Sequence, residues 1–155
     1  MRFDTRAWVL SPQLVGCPSA RLMEEHVTHH VSCGLLVRAG WVFLVHRSPS
    51  KAWYPNVWDL PGGHLEPGET NRQALVREPR EELSVEIALP SGNALLTRQE
   101  AGLFLEVWRV EEWDGDIINA APDEHDAVGW FSLDEALSLD LADGDYPALF
   151  KQVLS

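Results

Sequence analysis

Apolar residues recur along this chain at two different spacings, and the change from one to the other marks its elements. Cys33-Gly34-Leu35-Leu36-Val37 is a continuous apolar run of strand length, and the β-branched Val27, Thr28 and Val31 lead into it. Ala39-Gly40 reads as a hairpin turn that returns the chain in a second strand over 41–46. Further strands are expected over 85–89, 94–98, 103–110 and 128–131, the first of them ended by Pro90-Ser91-Gly92. Between residues 70 and 84 the spacing lengthens. Leu75, Pro79 and Leu83 recur at intervals of four with Val76 beside them, a stripe that would hold a helix against a core. Thr70 with Gln73 three residues later has capping-box spacing, which places the N-cap at Thr70. Ser132 with Glu135 repeats the signal for a short helix through Ala136-Leu137, and 145–154 reads as a terminal helix with Pro147 in its first turn. This order of strands and helices predicts an α/β fold with a mixed sheet.

The other face of the first helix carries Glu78, Glu81 and Glu82, three carboxylates whose spacing sets them side by side. Like charges that close repel, so a cation is expected among them, and hard ions such as Mg2+ prefer carboxylate and carbonyl oxygens. Taken alone, an Arg-Glu-x-x-Glu-Glu run is usually a solvated face. The stretch before it changes that reading: Gly62-Gly63 and Pro67-Gly68-Glu69 make a loop whose backbone can approach a ligand closely.

Gly63, five residues, Glu69, seven residues, Arg77-Glu78, then Glu81-Glu82 resembles the signature of the Nudix hydrolases. The resemblance extends over about residues 31–150 and implies an α/β/α sandwich with a curved mixed sheet between helices. It also implies roles: Glu78, Glu81 and Glu82 hold Mg2+, for which Mn2+ can substitute, a carbonyl of Gly62 or Gly63 adds a ligand, and Arg77 pairs with Glu69. An arginine fork on a carboxylate would fix the loop against the helix before substrate arrives. Many members carry a Glu-His pair shortly before a tryptophan strand, which makes Glu124 a further candidate metal ligand or base. Glu81 is the expected general base and Glu124 its rival. Two positions depart from the pattern. Pro79 stands where the family has an aliphatic residue, and a kink is expected after Glu78 at a cost of about 3 kcal/mol. Ser84 stands where the family has glycine, at a cost of about 1 kcal/mol if the helix ends left-handed there.

At 155 residues and 45% hydrophobic content the chain suits one domain, with 1–26 an extension of unassigned role. That extension includes a candidate short strand over 7–10, and it could cover the site or form a homodimer contact. The formal net charge of -12 argues against a nucleic-acid partner, and two cysteines without a paired spacing suggest a reducing compartment. No apolar run suits a signal peptide or a membrane span, so the cytoplasm is expected. His26, His29, His30 and Cys33 would share one side of a helix, but on a strand they divide between two faces, and no zinc site is expected. The loop from His46 to Trp58 combines basic and aromatic residues; Arg47, Trp53 and Tyr54 are candidate substrate contacts, and Trp58 is a core cap.

The activity that the resemblance implies is Mg2+-dependent cleavage of a phosphoanhydride in a nucleoside diphosphate derivative. A nucleoside triphosphate, canonical or oxidised, giving monophosphate and pyrophosphate is the first expectation. A non-catalytic nucleotide-binding module is the alternative. An isopentenyl diphosphate isomerase-like enzyme ranks lower, because neither Cys17 nor Cys33 matches that group's catalytic cysteine.

Overall fold

The computed structural model describes residues 29–154. The expectations on Cys17, His26 and the strand over 7–10 lie outside the described residues. A mixed sheet organises the rest: β1 (His29–Arg38), β2 (Trp41–Arg47), β3 (Trp58–Asp59), β4 (Gly62–His64), β5 (Leu96–Glu100), β6 (Leu103–Val110) and β7 (His125–Phe131). The main path runs β3-β2-β1-β6-β5, with β4 added to β1 and β7 to β2. β1 and β6 pair in parallel along eight registered positions, from His29 with Leu103 to Leu36 with Val110.

Both faces of this sheet are covered, which is why β1 reads as a continuous apolar run. Leu35, Val42, Leu44, Leu105 and Val107 face α2 (Leu133–Leu137) and α3 (Tyr146–Leu154), joining Ala136, Tyr146 and Phe150 in one core. Their neighbours Leu36, Phe43, Val45 and Trp108 point the other way, joining Leu75 and Leu83 of α1 (Asn71–Leu83) in a second. The result is the α/β/α sandwich. The β1–β2 turn is the expected one: Ala39 and Gly40 both have positive φ, at 52° and 80°, as a two-residue turn matching strand twist requires.

Helix α1 starts with both halves of the capping box at Thr70 and Gln73. Leu75, Pro79 and Leu83 are its buried stripe, joined by Ala74 and Glu82. The helix continues as one element through Pro79, with Ser84 N–H closing on the Arg80 carbonyl. Ser84 takes the left-handed cap conformation, φ 59° and ψ 35°, that the family glycine would favour.

One predicted strand is absent. Residues 85–89 form no ladder and make a single bridge, Glu86 with Asp114. The alternation that suggested a strand is real, since Val85 and Ile87 are buried in the α1-side core, but the facing segment bends away at Gly115, φ 98°. The strand expected over 94–98 is displaced to Leu96–Glu100, where it pairs with β6.

Candidate functional site

Close approach of two backbones builds the site. Gly62 pairs with Cys33 at φ 150°, and a Cβ there would lie 2.2 Å from the Ser32 carbonyl, so only glycine lets β4 lie against β1. The next residue then passes directly under α1. A Cβ on Gly63 would meet Glu78 Oε1 at 2.7 Å; the Glu78 carboxylate occupies the space a side chain would fill.

One turn further on, Glu82 is 4% exposed, its Oε1 accepts the Gly62 N–H at 3.1 Å, and its Oε2 lies 3.9 Å from His125 Nε2. The helix end also holds the loop that carries Glu124. Ile118 N–H and Ala120 N–H donate to the carbonyls of Leu83 and Glu82, and Asn119 Nδ2 donates to the His125 carbonyl at 2.7 Å. Gly62 and Glu124, far apart in the sequence, are thereby brought to one cavity.

Arg77 ties loop to helix as expected. Its Nε and Nη2 donate to the two Glu69 oxygens at 2.7 and 3.0 Å, Nη2 also reaches the His64 carbonyl at 3.1 Å, and Nη1 reaches Glu81 at 2.8 Å and Glu78 at 3.1 Å. Glu69 in turn accepts the Glu66 N–H, which closes the loop on itself. The guanidinium holds the Glu69 carboxyl below the usual carboxylate range.

Glu78 and Glu82 shift the other way. Burial raises both, and neighbouring carboxylates add to it: Glu81 and Glu124 around Glu78, Glu78 and Glu124 around Glu82. Burial lowers His125 to about 4, and its Nδ1 has no hydrogen-bond partner. Cys33 lies in the cavity wall, but burial first and then Asp59, Glu82 and Glu78 hold its thiol well above the ordinary value, so it is no thiolate nucleophile.

The cavity, of about 330 Å3, is lined by Gly62, Gly63, Arg77, Glu78, Glu82 and Glu124 on the carboxylate side and by Arg47, Lys51, Trp53 and Tyr54 on the other. Glu81 is not among its lining residues; its half-exposed side chain turns to Arg77. Arg47 spends its guanidinium on the carbonyls of Trp53 and Tyr54 and on Asp59. Asp59 is a floor residue that sequence reasoning missed. It is buried, and Tyr146 Oη of α3 donates to it at 2.6 Å across 87 positions of sequence, a pairing that leaves no local signal.

These donors fit a hard divalent cation. They are oxygen ligands whose charge is disfavoured by burial and by one another, with Glu78 set against a bare glycine backbone. Among the described residues no three of them are gathered around one metal-sized point.

A model of the NUDIX domain matches residues 28–152. The chain belongs to the Nudix family. Among relatives of this Nudix hydrolase, the CTP pyrophosphohydrolase of Escherichia coli K12 is 36% identical over 121 residues, 77% of this chain and 87% of that protein. An 8-oxo-dGTP diphosphatase of Proteus vulgaris is 37% identical over 59 residues, 37% of this chain and 52% of that one. Among solved structures, the E. coli ORF135 protein aligns with TM-score 0.63 at 33% identity, over 79% of this chain and 86% of its own. The MutT NUDIX hydrolase of Burkholderia pseudomallei aligns with TM-score 0.67 at 27% identity, over 81% and 97%. Among the described residues of this Nudix hydrolase no helix is long and apolar enough to cross a membrane.

Proposed function

We propose that this Nudix hydrolase cleaves a nucleoside triphosphate to monophosphate and pyrophosphate with Mg2+ or Mn2+. The observation that carries the reading is the pair Glu78 and Glu82, both turned into one cavity with raised pKa and a backbone glycine beneath them. Glu78, Glu82 and a carbonyl of Gly62 or Gly63 would hold the ion, with Glu81 in reach of the same face. Bound there, the ion would offset charge on the phosphate oxygens and lower the pKa of a bound water.

The chain's own groups do the rest. Glu124, on a loop tied to the helix end, takes the water's proton as the new O–P bond forms and the bridging P–O bond breaks. We favour Glu124 over Glu81 because Glu124 lines the cavity and Glu81 is engaged by Arg77. Arg77 and Glu69 keep the loop fixed, and Trp53 and Tyr54, which line the same cavity, would contact the base.

Two relatives bear the names CTP pyrophosphohydrolase and 8-oxo-dGTP diphosphatase, so CTP and 8-oxo-dGTP head the substrate panel. The test is chromatographic identification of products from canonical and oxidised nucleotides, nucleotide sugars and dinucleotides. Monophosphate with pyrophosphate supports the reading. Orthophosphate as the sole phosphate product, or tight nucleotide binding with no turnover of any compound, contradicts it.

A further inference from the structure

We propose that Lys51 binds the phosphate chain of the substrate at the cavity mouth, exchanging its contact with Glu124 for a phosphate oxygen. This rests on the nucleotide reading above. The cavity is lined by five carboxylates, Asp59, Glu66, Glu78, Glu82 and Glu124, and by three cations. Two of the cations are committed. Arg77 is divided among Glu69, Glu78, Glu81 and the His64 carbonyl, and Arg47 among two loop carbonyls and Asp59. Lys51 has one ion-pair partner among the described residues, Glu124 Oε1 at 3.6 Å, which is outside hydrogen-bond distance.

The loop holds the Lys51 backbone in place beside Glu124. Arg47 closes its base through backbone bonds, N–H to the Val57 carbonyl at 2.8 Å and carbonyl from Asn56 N–H at 3.0 Å. Its side chain then grips the carbonyls of Trp53 and Tyr54. Tyr54 is left-handed at φ 48°, a conformation that a bulky residue keeps only when its surroundings impose it, and Asn56 is left-handed at 59°, where asparagine is readily accommodated. Lys51 N–H bonds the Ser48 carbonyl, and Ser48 N–H bonds the Glu124 carbonyl, so Lys51 and Glu124 face each other across a fixed seam. An ammonium is a point charge with three donors, suited to a phosphate oxygen. A polyanion entering here would draw Lys51 from Glu124 and leave that carboxylate without its counter-ion. Substrate capture and release of the proposed base are then one event.

Binding of inorganic pyrophosphate in Mg2+ to the full chain, followed by titration calorimetry, tests this without turnover. Lys51→Met is expected to weaken binding at least about tenfold, with Lys51→Arg recovering most of it. The salt dependence should be shallower in Lys51→Met, because one charge contact is gone. Lys151→Met removes the same charge on α3, away from the cavity, and should bind as the unaltered protein does. With nucleotide, Lys51→Met should raise KM by a similar factor while kcat changes less. Affinity in Lys51→Met within about twofold of the unaltered protein would overturn the proposal, as would an equal loss in Lys151→Met or no pyrophosphate binding by any of them. An inactive protein whose pyrophosphate binding still depends on Lys51 would instead sink the hydrolytic reading and leave this assignment standing.

Discussion

Replacing Arg77 by lysine keeps one positive charge and removes the fork, and so isolates what the geometry at this position contributes. The guanidinium holds both Glu69 oxygens, at 2.7 and 3.0 Å, and the His64 carbonyl at 3.1 Å, while its third nitrogen reaches Glu81 and Glu78. One ammonium cannot span Glu69 and Glu78 together, so the loop and the helix lose their common fastening. A sheltered charge-assisted bond contributes about 1.5–3 kcal/mol. Here 16% of the Arg77 side chain and 12% of Glu69 remain exposed, and screening reduces the contribution to about 1 kcal/mol per bond. Loss of two bonds, the second arm on Glu69 and the reach to His64, therefore costs about 2 kcal/mol, or roughly 4–8 °C in Tm for a chain of this size. Thermal unfolding followed by circular dichroism measures that drop. Calorimetric titration with Mn2+ should show affinity reduced severalfold, because Glu78 is no longer held in place. A lysine variant that melts within about 2 °C of the parent and binds Mn2+ equally would refute the claim that the fork preorganises the site.

The buried carboxylates also predict a pH dependence. Burial raises Glu82 above 4.5, so in metal-free protein its favourable contribution is complete below pH 4.5 and is lost as pH rises through the folded-state value. His125 opposes this: held at about 4 by burial, against an ordinary 6.5, it adds stability as pH climbs from 4 to 6.5. Urea unfolding in EDTA should accordingly show Glu82→Gln gaining on the unaltered protein with each step above pH 4.5; a difference independent of pH would contradict the assignment. Tyr146→Phe should cost about 2 kcal/mol, since Asp59 loses the 2.6 Å hydroxyl donor and keeps only the Leu60 N–H and Arg47 nearby. Unchanged denaturation midpoints would mean that this bond is idle.

Much of this architecture is written locally, where a residue's chemistry and its immediate neighbours suffice. The caps at Thr70 and Ser132, the two-residue turn at Ala39-Gly40 and the strand over 103–110 all depend on contacts within a few positions or on a single period. The spacing from Gly63 to Glu82 likewise identifies a family, and the comparison with known proteins bears that out. Failures occur where a distant partner decides. Residues 85–89 alternate like a strand, yet a strand exists only through its neighbour, and the facing segment leaves after one bridge. The Asp59 and Tyr146 bond, and the burial of Asp143 against Arg98, join positions 87 and 45 apart. Nor does a helical face say how far each carboxylate reaches: Glu78, Glu81 and Glu82 share one side of α1, but the Gly62-Gly63 turn lies beneath only two of them. The self-bonding of the Arg47 loop was illegible, because its grip falls on backbone carbonyls.

The central claim is that Glu82 and its neighbours hold a divalent ion for phosphoanhydride hydrolysis, and Glu82→Gln tests it most directly. Glutamine keeps the size and can still accept the Gly62 N–H, so the fold and the unloaded cavity should survive. Turnover of the substrate found in the panel and Mn2+ affinity, measured on the same preparation, should then fall together, turnover by at least about a hundredfold, with the circular dichroism spectrum unchanged. A folded Glu82→Gln protein that turns over and binds Mn2+ at the level of the parent would contradict the account.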